Sequence, residues 1–243
     1  MRGAVRLTAM AERQPLLLLP GLLCDAALWE PVLPALADIA VPLVADLTQD
    51  DTIAAMAQRA LADAPSRFAL AGLSMGGYVA FEIMCQAPDR VTRLALFDTS
   101  ARPDTAEQSR RRRLLMALAE TGQFRGVTPR LLPQLIHPGR ANTPLAREVM
   151  AMAERVGRDA FLRQQRAIMG RADSRPLLGA IAVPTLVAVG DEDLLTPPEL
   201  AEEIAAGILG ARLRRFAGSG HLPTMEMPGE AGAALRDWLL DVK

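Results

Sequence analysis

The chain has 243 residues, half of them apolar, with 27 basic and 28 acidic side chains and two cysteines. That length fits one large α/β domain, and two thiols are too few for a disulfide framework, which leads us to expect a reducing, cytoplasmic setting. A net charge of −1 gives no reason to expect nucleic acid. Neither the arginine-bearing start, Met1–Gln14, nor the short run Leu16–Leu19 is expected to act as a leader or to span a membrane.

In chain order, Pro15–Gly21 comes first: a short apolar run closed by turn residues, the pattern of a strand buried on both faces. Val41–Asp46, Phe68–Gly72, Val91–Phe97 and Pro184–Gly190 repeat that form, and helical stretches over Thr52–Ala64 and Tyr78–Ala87 lie between them. This alternation predicts an α/β fold, a mostly parallel sheet covered by helices on both faces. From Ser100 to about Ile181 it stops. Helices are expected there over Thr105–Glu120, Leu145–Val156 and Asp159–Met169, separated by Gly122, Pro129, Pro138, Gly157 and Gly170. We therefore read residues 1–99 and 182–243 as an α/β core and residues 100–181 as an inserted helical cap. From Ser100 to Leu178 that insertion carries fifteen arginines against seven acids, a balance of +8 that leaves −9 for the remainder.

The densest chemistry lies in Phe68-Ala-Leu-Ala-Gly-Leu-Ser74-Met-Gly-Gly-Tyr78, a serine between glycines that follows a strand and opens a helix. That context is the nucleophile elbow Gly-x-Ser-x-Gly, in which a sharp turn lifts the hydroxyl above the sheet. The amide of Met75, at the helix start, is then placed to face a developing oxyanion. A serine needs a base to take its proton, and the chain offers two histidines, His137 and His221. His221 is our choice of base, because Gly218-Ser-Gly-His221 follows the strand-like Arg212–Phe216, whereas His137 falls in the insertion and is kept as a substrate contact. The orienting acid should follow a strand between serine and histidine. Gly190-Asp191-Glu192-Asp193-Leu-Leu-Thr196-Pro supplies it, with Asp193 preferred and Asp191 second. Asp98 is a third candidate, at the end of another strand, and is expected instead to bond the turn amides of Asp98-Thr-Ser.

These motifs resemble the α/β-hydrolase superfamily from Leu16 to Leu240, and within it bacterial carboxylesterases and 3-oxoadipate enol-lactonase-like hydrolases. The acid loop Gly190-x-x-Asp193-x-x-Thr-Pro and the histidine loop Gly-x-Gly-His221 are similar to theirs. In such relatives a second oxyanion amide follows a His-Gly pair after an early strand. The resemblance carries that role onto Leu22, although the pair here is Pro20-Gly21. Cys24, two residues on, is expected to line the pocket without acting as nucleophile. Little chain precedes the first strand to form the antiparallel hairpin usual in these proteins.

The resemblance implies a serine esterase using Ser74, His221 and Asp193 on a small-molecule ester, lactone or thioester. No metal and no cofactor are expected, since the chain has no dinucleotide loop, no Walker loop and no Cys/His cluster. Alternatives with the same residues are a cofactor-free haloperoxidase or perhydrolase and a carbon–carbon hydrolase. A binding protein on the same scaffold is the rival of another class. The basic insertion suggests an anionic substrate or acidic carrier protein, with Arg163 and Arg166 as its contacts.

Overall fold

The apolar runs find their partners in a six-stranded, all-parallel sheet of order β2-β1-β3-β4-β5-β6. Its strands are β1 (Gln14–Leu19), β2 (Ala40–Val44), β3 (Phe68–Leu73), β4 (Val91–Phe97), β5 (Thr185–Gly190) and β6 (Arg212–Phe216). The structure, a computed structural model, describes residues 13–241, so the expectations for the first twelve residues lie outside it. The helices, in order, are α1 (Ile53–Asp63), α2 (Met75–Gln86), α3 (Ala106–Leu118), α4 (Leu132–Leu135), α5 (Pro144–Met169), α6 (Arg175–Leu178), α7 (Pro198–Gly207), α8 (Pro223–Glu226) and α9 (Pro228–Leu240).

Side chains alternate across a strand, so a continuous leucine run feeds two cores at once. Leu17 and Leu19 of β1 join Met56 of α1 and Val79 and Phe81 of α2 on one face. Leu16 and Leu18 join Trp29, Leu235 and Trp238 on the other. Each such fully buried leucine contributes about 1.5–3 kcal/mol of apolar transfer, which is why these runs occupy the middle of the sheet. The edges read differently. β2 carries Pro42, which cannot donate to a ladder, and β6 carries Arg212, Arg214 and Arg215, charges that discourage pairing with another chain.

Two helix boundaries depart from the sequence expectation. α2 begins at Met75, three residues before Tyr78, because the turn at Ser74 leads straight into it. The helices expected over Leu145–Val156 and Asp159–Met169 form one run, α5, bent where Gly157 adopts φ 79°, ψ 175°. α3 opens on a capping box between Thr105 and Gln108 and passes into a π-turn that closes at Gly122, φ 83°. Among the described residues between β4 and β5 there is no strand.

The β4–β5 segment lies against loops at the carboxyl ends of the strands. Leu135 O accepts from His221 N (3.0 Å), and Gln164 bonds the loops after β1 and β2. No helix of the described residues is long and apolar enough to cross a membrane.

Candidate active site

Ser74 joins β3 to α2 in a backbone conformation that side chains rarely adopt, φ 55°, ψ −114°. Such a residue costs on the order of 1–3 kcal/mol and persists only where its surroundings fix it. Here the Ser74 amide donates to Phe97 O (2.9 Å), and its carbonyl accepts from Gly77 N (2.9 Å) and the Thr99 hydroxyl (2.8 Å). The flanking glycines are dictated by space: a Cβ on Gly72 would sit 2.4 Å from Gly76 O, and one on Gly76 would sit 2.0 Å from Leu19 O.

Asp193 follows β5 and His221 follows β6, and the two meet. Asp193 Oδ2 lies 2.7 Å from His221 Nδ1, with both residues buried. Asp193 also accepts from the Thr196 hydroxyl (2.6 Å) and from the amides of Leu195 (2.8 Å) and Thr196 (3.1 Å). Burial pushes this carboxyl up. The charge and hydrogen bond of His221, with the Thr196 hydroxyl and amide, outweigh burial and hold it below the usual carboxylate range. Asp191, the second choice of acid, turns to the surface and pairs with Arg215.

Asp98 corrects another expectation. It does not bond the amides of its own turn: at φ 43° its Oδ1 accepts instead from Gly190 N on β5 (2.9 Å). Single ligand atoms of Asp98, Asp193 and His221 lie within 4.8 Å of one another, and Asp193 and His221 are already paired with each other. The 2.7 Å separation of Oδ2 and Nδ1 is a hydrogen-bond length, which puts a proton between those two atoms.

Leu22 sits in the turn Gly21–Cys24, closed by Cys24 N donating to Gly21 O (3.2 Å). Leu23, at φ 59°, donates its amide to Gln164 Oε1 (3.0 Å). Cys24 is buried and free, and burial, followed by the charge of Asp25, pushes its thiol up to about 12. His137 caps a short helical turn: its Nδ1 accepts from Gly139 N, its Nε2 lies 3.3 Å from Glu192, and its amide donates to Glu226. Arg163 donates to Thr48 O (2.7 Å), and Arg166 pairs with Glu120 at the surface. His137, Arg163 and Arg166 are thus each engaged with protein groups.

Two buried polar residues complete the site and were not singled out from sequence. Gln164 is fully buried, accepts from Leu23 N and donates to Leu47 O. Glu226 accepts from Gly220 N, Leu222 N and His137 N, so it braces both sides of His221. Glu226 stands between Met225 and Met227, where a polar residue among apolar neighbours was the available signal; Gln164 is flanked by Arg163 and Gln165, and nothing in the local sequence sets it apart.

A parallel sheet with a strained serine elbow after its third strand and an acid–histidine pair after its last two defines a hydrolase of the α/β class. Residues 10–235 match the alpha/beta hydrolase family, and the chain belongs to it. Among curated proteins it is similar to pimeloyl-(acyl-carrier protein) methyl ester esterase of Neisseria meningitidis, 31% identical over 78% of this chain and 75% of that one. Among solved structures it is similar to a thermophilic esterase from Thermogutta terrifontis, with a TM-score of 0.85, 30% identity and coverage of 96% and 92%. The enol-lactonase of Burkholderia xenovorans follows with a TM-score of 0.81, 25% identity and coverage of 95% and 92%.

Proposed function

We propose that the chain hydrolyses a carboxylic ester, lactone or thioester by a two-step acyl transfer. The observation that carries this reading is the buried 2.7 Å hydrogen bond between Asp193 and His221, at the same sheet edge as the Ser74 elbow. With Nδ1 held by Asp193, His221 Nε2 is the nitrogen that takes the Ser74 proton as Oγ attacks the carbonyl carbon. The oxyanion of the tetrahedral intermediate falls to the amides of Leu22 and Met75. His221 returns the proton to the departing alcohol or thiol, leaving an acyl-Ser74. Water then repeats the sequence and frees the acid.

Residues 100–181 act as a cap in this reading. They close over the strand ends and supply apolar surface: Phe124 and Phe161, 5.3 Å apart between ring centroids, cluster with Leu22 and Leu23. That surface suits an apolar acyl or alkyl group beside the oxyanion turn. The positive balance of the same segment suits a substrate or carrier with an acidic group.

The test is a rate profile over short and long esters, a lactone and a thioester, with Ser74→Ala as blank, joined to labelling by a fluorophosphonate. Turnover lost in Ser74→Ala, with the label on Ser74 alone, is the expected result. No turnover of any carbonyl substrate and no label on Ser74 would overturn the proposal.

A further inference from the structure

The acyl-transfer scheme makes no use of Asp98, yet this residue is fully buried at the end of β4 and adjoins the acid–base pair. Its position is over-determined. The amide donates to Ala188 O (2.9 Å), Oδ1 accepts from Gly190 N (2.9 Å), and φ is 43°. Its other carboxyl oxygen, Oδ2, is buried and has no hydrogen-bond donor among the described residues. A buried carboxylate oxygen without a donor loses its hydration and gains nothing in return.

The neighbouring groups decide which form of Asp98 is stable. A carboxyl oxygen of Asp98, one of Asp193 and a ring nitrogen of His221 share a space 4.8 Å across. Asp193 receives the His221 ring, the Thr196 hydroxyl and two amides, the environment of a carboxylate. Asp98 receives one amide. Two buried carboxyls this close do not both ionise, and the one with fewer donors keeps the proton.

We propose that Asp98 is a neutral carboxylic acid that donates its proton in a hydrogen bond to Asp193. It is a positioning residue that ties the acid loop after β5 to the end of β4, and it leaves a single negative charge under His221. The inference rests on the reading of Asp193 and His221 as the acid–base pair. Burial and the negative charges of Asp193 and Glu226 act in the same sense, pushing the Asp98 carboxyl well above its usual range against the one Gly190 amide. The titratable groups acting on it, Asp193, His221 and Glu226, come from the loops after β5 and β6 and from α8.

Asp98→Asn tests this, because a carboxamide is neutral, nearly isosteric, and can both accept from Gly190 N and donate to Asp193. If Asp98 is already neutral, the acid limb of the kcat/KM profile keeps its position in Asp98→Asn. If Asp98 is ionised, the substitution removes a negative charge beside His221 and moves that limb down by about one unit or more, which would overturn the proposal. Infrared spectroscopy of the full-length protein at neutral pH gives a readout independent of turnover. The wild-type-minus-Asp98→Asn spectrum should contain a protonated-carboxyl C=O band, and a carboxylate band in its place would sink the inference. Carboxyl ¹³C NMR of the unsubstituted protein makes the same distinction should the variant fold poorly: one aspartate stays in the acid form at pH 7, or none does. Absence of ester turnover with the acid band present would count against the proposed reaction and leave the proton on Asp98.

Discussion

The side-chain oxygen of Gln164, on α5, accepts the backbone amide of Leu23, 3.0 Å away in the turn after β1 and 141 residues distant in sequence. Leu23 holds φ 59°, a left-handed conformation uncommon for a leucine. The Leu23 amide is thereby committed to Gln164, and in the proposed reaction the oxyanion falls to the preceding Leu22 amide. The turn thus depends on a residue of the helical segment. Gln164→Leu is expected to lower kcat by roughly 10- to 100-fold with KM little changed, since one misplaced oxyanion donor costs about 2.7–4 kcal/mol when removed outright. Steady-state kinetics beside a thermal melt check this: a lowered Tm with an unaltered kcat would assign Gln164 to stability alone.

The choice between the two loop aspartates follows from their surroundings. Asp193 is buried against His221, whereas Asp191 is paired with Arg215 at the surface. Asp193→Asn is expected to lower kcat by about 10⁴-fold, because the imidazole loses the partner that fixes its tautomer. Asp191→Asn should leave kcat within about twofold, since exposed ion pairs contribute roughly 0–1 kcal/mol. Activity lost in Asp191→Asn and kept in Asp193→Asn would move the acid by two residues.

Much of this arrangement was legible in the sequence, and the part that was not has a common cause. The strand runs, the elbow at Ser74 and the loops carrying Asp193 and His221 are local patterns, set by side-chain period and turn chemistry over a dozen residues or fewer. Gln164, Glu226 and Asp98 take their roles from groups that folding brings together: Leu23 for Gln164, Gly220 and His137 for Glu226, Gly190 for Asp98. No periodicity encodes such a partner. The same holds for Arg163, offered as a substrate contact on the charge balance of its segment, whose bond to the Thr48 carbonyl likewise depends on a group that folding brings to it.

Asp98 also makes stability depend on pH in a direction opposite to Asp193. A carboxyl held below its usual range stabilises above its unfolded value of about 3.9 and loses that contribution as pH falls through its folded value. Asp193 belongs to this class. Asp98, pushed well above the range, takes up a proton on folding. Its native form is therefore favoured at low pH and weakened as pH rises from about 4 toward its folded value, by at most about 1.4 kcal/mol per pH unit. Denaturant titrations of wild type and Asp98→Asn across this window should diverge, the variant gaining relative stability with each unit of rising pH. Parallel curves would mean that Asp98 binds no extra proton in the folded state.

Cys24 lies in the turn beside Leu22, close enough to Ser74 for its role to be tested. Its Sγ stands 3.4 Å, and Ser74 Cβ 3.5 Å, from where a Gly21 side chain would begin. A thiol pushed up to about 12 is protonated at neutral pH and is a poor nucleophile. Cys24→Ser should keep kcat within about threefold, and the small change in buried volume should cost no more than about 1–2 kcal/mol of stability. Reaction of native protein with a thiol reagent should modify exposed Cys85 first. Inactivation that tracks modification of Cys24, with Ser74 unlabelled by a fluorophosphonate, would transfer the nucleophile's role to sulfur.

The positive charge of the β4–β5 segment is only partly available to a substrate. Arg102 pairs with Glu203, Arg140 with Glu226 and Arg155 with Asp25, so three of its arginines hold the segment to acids of the core. Arg112 and Arg171 are committed to Asp104 within the segment. Arg110 and Arg113 on α3 are exposed, beside the exposed Leu114 and Leu118. What remains acts as a surface field, which changes encounter rates more than bound-state affinity. An ester bearing a free carboxylate should therefore show a kcat/KM several-fold above that of its neutral analogue at low salt, the advantage shrinking as the Debye length falls to about 8 Å at 0.15 M ionic strength. Arg110→Gln with Arg113→Gln should remove part of that advantage through KM and leave kcat on the neutral ester unchanged. A preference for the neutral ester that salt does not alter would make the arginines of this segment struts between helices and core, with no part in drawing substrate to Ser74.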